Sequence, residues 1–192
     1  MEIKDEFKKA INLFQKGNYD EAKKIYEQIL IEKPDFAEIH YNLGIVLKIL
    51  NNLVEAEKSF TQAISLKSDF VHAHYHMGNT KYKLKKFDES EYSYKKAISL
   101  NSKFIEAYIN LSRAQRELGR LSEAEENARI ALKLNPNLAD ANNQLSLILF
   151  DRGRLSDDLK NKDLEKLNEA KNIILKAIDL NPNYGLSYLN YG

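Results

Sequence analysis

The residues best equipped for chemistry sit in one stretch, His72-Ala73-His74-Tyr75-His76. On a helix, His72 and His76 stand one turn apart on a shared face, while His74 points elsewhere. Two imidazoles at that spacing suit a divalent transition metal, and Glu106 could add an oxygen ligand. Two ligands fall short of a site, so the expectation is no metal and a hydrogen-bonding role for His76. Asp157-Asp158 resembles a carboxylate pair, but it lies in the polar run Ser156–Lys162, where solvation accounts for it. There is no Gly-rich phosphate loop, no HExxH and no GxSxG. The absence of cysteine removes disulfides, thiolate metal sites and Cys nucleophiles together. These residues describe a chain that is not an enzyme and takes no cofactor.

A second set of polar residues recurs instead of clustering. Asn42, His76, Asn110, Gln144 and Asn190 each precede a large apolar residue: Leu43, Met77, Leu111, Leu145 and Tyr191. An Asn side chain offers one acceptor and two donors, so it can match the C=O and N–H of an extended peptide at once. Repeated along one face, such residues would grip peptide backbone whatever its sequence.

The elements that must carry this ladder follow from a 34-residue period. Ala22, Ala56, Ser90 and Ala124 keep that step, as do Pro34, Ser68, Ser102 and Pro136. So do Leu43-Gly44, Met77-Gly78, Leu111-Ser112 and Leu145-Ser146. Ala63, Ala97 and Ala131, and Phe36, Phe70, Phe104 and Leu138, keep it too; the next copies of these two series and of the Pro34 series, Ala177-Ile178, Tyr184 and Pro182, arrive 46 residues on. The chain therefore divides into repeats 3–36, 37–70, 71–104, 105–138 and 139–184, with an insertion within 154–166 and a partial sixth repeat at 185–192. A composition of 43% hydrophobic and 30% charged residues, with 3 Pro and 7 Gly in 192, suits a folded helical array. First helices are expected near 3–15, 37–50, 71–84, 105–118 and 139–152. Second helices are expected near 20–32, 54–66, 88–100, 122–134 and 163–180. Gly44 and Gly78 leave no bulk where two helices cross, and Phe60 and Tyr94 fill the space. Gly17, Gly119, Gly153 and Asn51-Asn52 should end first helices, and Asp20, Asp88 and Ser122 should cap second ones.

The pattern His40-x-x-Leu43-Gly44-x-x-Leu47 followed by Ala56, Phe60 and Ala63 resembles the tetratricopeptide repeat, a 34-residue helix–turn–helix unit. The resemblance covers essentially the whole chain. It implies an all-α fold, a right-handed α-solenoid of antiparallel helix pairs whose first helices line a concave groove. The family's usual aromatic residue at the start of the motif is replaced by His40 and His74, which are read as packing residues. Tyr75-His76-Met77-Gly78-Asn79-Thr80, Leu118–Ala124 and the amide column also resemble the repeat domains of O-linked N-acetylglucosamine transferases, with their asparagine ladder. The resemblance implies a scaffold that binds an extended peptide or partner segment through Tyr41, Asn42, Tyr75, His76, Asn79, Asn110, Arg113, Gln144 and Asn190. The other reading it allows is a substrate-recruiting N-terminal domain of a larger enzyme, such as a glycosyltransferase. The family's carboxylate clamp would fall on Phe7, Ile11, Asn42, His72 and His76, of which only Asn42 fits.

The partner is thus expected to be a protein or peptide. A net charge of +1, with Glu38, Glu106 and Asp140 on the groove stripe, opposes nucleic acid. No apolar run approaches the roughly 20 residues of a membrane span, so no membrane partner is expected and a cytoplasmic location is. The last eight residues restart the motif with Tyr188-x-x-Tyr191-Gly192, which suggests that a longer natural chain continues. Ile173, Ile174, Ala177 and Ile178 would then form an uncovered apolar end through which the chain weakly self-associates.

Overall fold

The structure, a computed structural model, describes residues 3–154 and 163–182. Asn190, the partial repeat 185–192 and Asp157-Asp158 lie outside the described residues. The described chain is helical throughout, without strands, and divides into two compact units, 1–101 and 102–192.

Unit 1 holds three helix pairs: α1 (Ile3–Gln15) with α2 (Tyr19–Glu32), α3 (Ala37–Ile49) with α4 (Leu53–Leu66), and α5 (Val71–Lys83) with α6 (Phe87–Leu100). Each helix packs on the next along the chain. Unit 2 holds α7 (Ile105–Glu117) with α8 (Leu121–Leu134), then α9 (Ala139–Arg154) with α10 (Leu164–Leu180). The helices fall within two residues of the positions that the period sets.

Each pair closes on a small residue of its first helix. A Cβ on Gly44 would lie 2.7 Å from the Phe60 ring, and one on Gly78 would lie 2.5 Å from the Tyr94 ring. The rings of Phe60 and Tyr94 are wholly buried in the space that the glycines leave. Burying one such side chain stabilises the unit by about 1.5–3 kcal/mol. Ser90 of α6 also comes close enough for its Oγ to donate to the Gly78 carbonyl at 2.8 Å. In unit 2 the glycine position carries Ser112 and Ser146, whose hydroxyls turn inward to the carbonyls of Ile109 and Asn143 at 2.7 and 2.8 Å. Their counterparts on the second helices are correspondingly smaller, Ala128 and Ile174.

Four turns inside the pairs share one closure. Gly17, Asn51, Lys85 and Gly119 all adopt positive φ, between 60° and 81°. The following residue then donates its N–H back to the start of the last turn: Asn18 to Leu13, Asn52 to Leu47, Lys86 to Lys81 and Arg120 to Gln115, at 2.8–2.9 Å. Gly17, Gly119 and Asn51 are thus where expected, and Lys85 takes the same strained conformation without a glycine. Because the chain re-enters a helix at once, Asn18, Lys86 and Arg120 occupy the N-cap positions without side-chain caps. Asp20, Asp88 and Ser122 lie in the first turn, which corrects their assignment as caps. Asp163 is a true cap, accepting from the Lys166 N–H at 3.0 Å.

Gly153 is a second correction. Instead of following the helix end as Gly17 and Gly119 do, it is buried within the last turn of α9, one residue before Arg154, where a Cβ would lie 2.8 Å from Leu167. Of the apolar end expected on α10, Ile174 and Ala177 are buried, while Ile173 and Ile178 are half-buried, Ile173 against the core of Leu145, Ile148 and Leu149. Between repeats, the motif's lead position ties the link down. His40 Nε2 donates to the Pro34 carbonyl at 2.7 Å, His74 Nε2 to Ser68 at 2.9 Å, and Asn142 Nδ2 to Pro136 at 3.3 Å.

The crossing and the turn each generate a test by urea denaturation. Gly78→Ala should destabilise the chain by about 1–3 kcal/mol, since the Tyr94 ring must shift to admit one methyl group. Lys85→Gly should stabilise it by about 0.5–1 kcal/mol by relieving the left-handed strain. A neutral Gly78→Ala would remove the close crossing from the account, and a destabilising Lys85→Gly would remove the strain.

Candidate functional site

In unit 1 the expected site residues fall on α3 and α5. Tyr41 is half-buried in an aromatic cluster, its ring centroid 4.7 Å from Phe70, 6.1 Å from Phe60 and 5.8 Å from His76. Burial raises the Tyr41 hydroxyl above its ordinary pKa. The His76 ring stacks over Phe60 at 6.1 Å and 17°, and Tyr75 meets it edge-on at 5.1 Å. Helical geometry brings these rings together, since positions 41 and 75 lie one repeat apart on equivalent faces.

The His76 imidazole is held by a lysine. Lys48, in the last turn of α3, donates from Nζ to His76 Nδ1 at 2.9 Å. An ammonium only donates, so Nδ1 is the bare nitrogen and Nε2 carries the proton. Burial, then the charge of Lys48, then His72, push the His76 pKa down to about 3. The imidazole is therefore neutral at physiological pH, and this rung does not switch there. Burial, followed by the charge of Lys83, lowers Lys48 itself.

The amides are used differently from one another. Asn79 accepts from the Tyr94 hydroxyl at 2.8 Å, tying the face of α5 to α6. Asn42 is half-exposed, and its side chain makes no hydrogen bond among the described residues. In unit 2, Asn110 accepts from Arg113 Nη1 at 3.3 Å on the face of α7. Gln144 departs from the expectation of an exposed rung: it is 2% exposed, with no acceptor for Nε2 among the described residues. Beside it on α9, Asn142, Asn143 and Ser146 are buried too, so this helix turns the amide position inward. Arg116 of α7 pairs with Asp151 of α9, Nε to Oδ2 at 2.6 Å. Sequence reasoning missed the role of Lys48; its partner His76 lies 28 residues away in sequence, and no local signal marks the bond.

Among the described residues, no three His, Asp or Glu side chains gather as metal ligands, and no helix is long and apolar enough to cross a membrane. What the geometry defines is an all-α repeat protein, an α-solenoid of helix pairs closed by small residues and bearing aromatic and amide side chains on its first helices.

Models of the tetratricopeptide repeat match residues 7–70 and 109–160, residues 71–104, and residues 158–184. The chain belongs to the tetratricopeptide repeat family. No curated relative matches it. Among solved structures it is similar to MamA, with a TM-score of 0.79 and 19% identity over 92% of this chain and 96% of that one. A MamA fragment from Desulfovibrio magneticus RS-1 gives a TM-score of 0.82 at 17% identity, over 95% and 96% of the two chains. YrrB, described as a TPR protein with an unusual peptide-binding site, gives 0.77 at 21% identity, over 95% and 88%. At these identities the likeness is one of fold, and the fold is typical of protein–protein interaction scaffolds.

The neutral His76 has a readable consequence. Its folded pKa lies below the ordinary 6.5, so the stability it lends is complete above about pH 6.5 and is lost as pH falls toward 3. By NMR, the His76 ring should keep its Nε2–H neutral form from pH 8 down to about pH 4. A midpoint near 6, or a proton on Nδ1, would contradict the Lys48 bond.

Proposed function

We propose that the chain is an interaction scaffold that binds an extended peptide or partner segment along the faces of its first helices. The observation that carries this is Asn42: a half-exposed amide on α3, without a partner among the described residues, next to Tyr41 in sequence, with Tyr75 and His76 in ring contact on α5. Aromatic faces take apolar side chains, and an open amide takes the backbone between them. Asn110 on α7 offers the same chemistry in unit 2, with Arg113 holding its carbonyl oxygen. Tyr75, His76 and Asn79 serve as walls and supports, with His76 and Asn79 already bound to Lys48 and Tyr94. Gln144 is too buried to meet a ligand as it stands. Exposed Glu38, Glu106 and Asp140 on the same helices disfavour a phosphate backbone, so the partner is protein. Membership of a family of generally non-catalytic repeat proteins supports the same view.

Selection from a random peptide library, followed by calorimetry, tests it. Asn42→Ala and Asn110→Ala should each weaken the selected peptides by about 1 kcal/mol. Peptides that bind the double variant as tightly as the wild type would remove the amides from the site.

A further inference from the structure

The repeat register supplies an internal comparison. Positions 48 and 116 stand two repeats apart, and so do 83 and 151. In unit 2 the pair is Arg116 and Asp151, an ion pair at 2.6 Å with side chains 26% and 30% exposed. In unit 1 the equivalent pair is Lys48 and Lys83, two cations. Neither lysine makes a salt bridge among the described residues, and the charge of Lys83 adds to burial in lowering the Lys48 pKa.

Glu38, Glu57, Glu89 and Glu91 on the neighbouring helices are already engaged, and the exposed Glu55 of α4 pairs with neither lysine. α5 contains no Asp or Glu, and the one acid of α3, Glu38, sits at its other end beside Lys67 at 3.6 Å. Glu57 of α4 binds Lys86 at 2.8 Å. On α6, Glu89 pairs with Lys81 at 3.0 Å and Glu91 with Lys95 at 2.6 Å. Lys48 rests instead on the neutral His76 imidazole, a weak substitute for a carboxylate. Both lysines lie near helix C-termini, where the helix dipole favours a cation. Arg116 enjoys the same advantage in the last turn of α7 and is nonetheless given an acid.

We propose that Lys48 and Lys83 receive a carboxylate side chain of the bound peptide, an Asp or Glu that stands where Asp151 stands against Arg116. The inference rests on the peptide-binding function above and adds what the peptide must carry. Asn42 holds backbone one and a half turns away along α3, Tyr75 and the His76 ring flank the acid, and no guanidinium fork selects a phosphate in its place. It differs from the family's carboxylate clamp, whose positions hold Phe7, Ile11 and His72 here.

The test uses the whole chain and phage-displayed random 12-residue peptides. Wild type should select peptides with Asp or Glu at one fixed position, and changing that acid to its amide should weaken binding about tenfold. Lys83→Asp, which copies the arrangement of unit 2, should melt higher at low salt and bind the acidic and amide peptides equally. Lys48→Met should lose the same preference. Selected peptides without a fixed acid, or an acid preference that survives Lys83→Asp, would overturn the inference and leave peptide binding standing. Failure of wild type to select any peptide would overturn both.

Discussion

Within each helix pair, the distance of closest approach is set by one small residue facing one large one. Glycine at 44 and 78 lets the rings of Phe60 and Tyr94 lie flat against backbone, and nothing larger than a hydrogen atom fits. Where the small residue is Ser112 or Ser146, the opposite side chain shrinks to Ala128 or Ile174. Interiors packed to crystal density tolerate this exchange only as a pair, so volume on one helix is matched by volume on its neighbour. The turn follows from the same constraint. Two helices this close leave room for only a short reversal, and a single residue at positive φ followed by immediate helix re-entry supplies it.

The proposed binding face follows the register of that packing. The pairs Leu43-Gly44 and Met77-Gly78 are buried, and the residue before each pair is only half-buried. Asn42 precedes Leu43, and His76 precedes Met77 by the same geometry. The two are not equivalent in use. Asn42 keeps its donors and acceptor, whereas His76 is clamped between Lys48, Phe60 and Tyr75 and stays neutral. Tyr94 links the two layers: its ring fills the crossing at Gly78, and its hydroxyl fixes Asn79 on the face.

Much of this was legible in the sequence because a solenoid writes its contacts at a fixed spacing. The ten helices of the described residues, the close crossings and the turns at Gly17, Asn51 and Gly119 follow from that period and the repeat motif it carries. What escaped it depends on departures from the period. Gly153 looked like a residue beyond the helix end, yet it lies within the last turn of α9, where Leu167 takes the space of a side chain. Asp20, Asp88 and Ser122 are the residue types of caps but sit two residues past the N-cap. Gln144 aligns with the amide column and is nonetheless buried. The Lys48–His76 bond and the unmatched Lys83 emerge only when equivalent positions of different repeats are compared in three dimensions.

The central claim is that the face of α3 and α5 in unit 1 is where a partner docks. Amide and side-chain NMR shifts of the whole chain, recorded while a selected 12-residue peptide is added, map that contact directly. The account predicts that the changes gather at Tyr41, Asn42, Lys48, Tyr75, His76 and Lys83, with the outward residues Val54 and Tyr92 of α4 and α6 unmoved. Changes gathered instead on α4 and α6, with Asn42 and Lys48 silent, would contradict it.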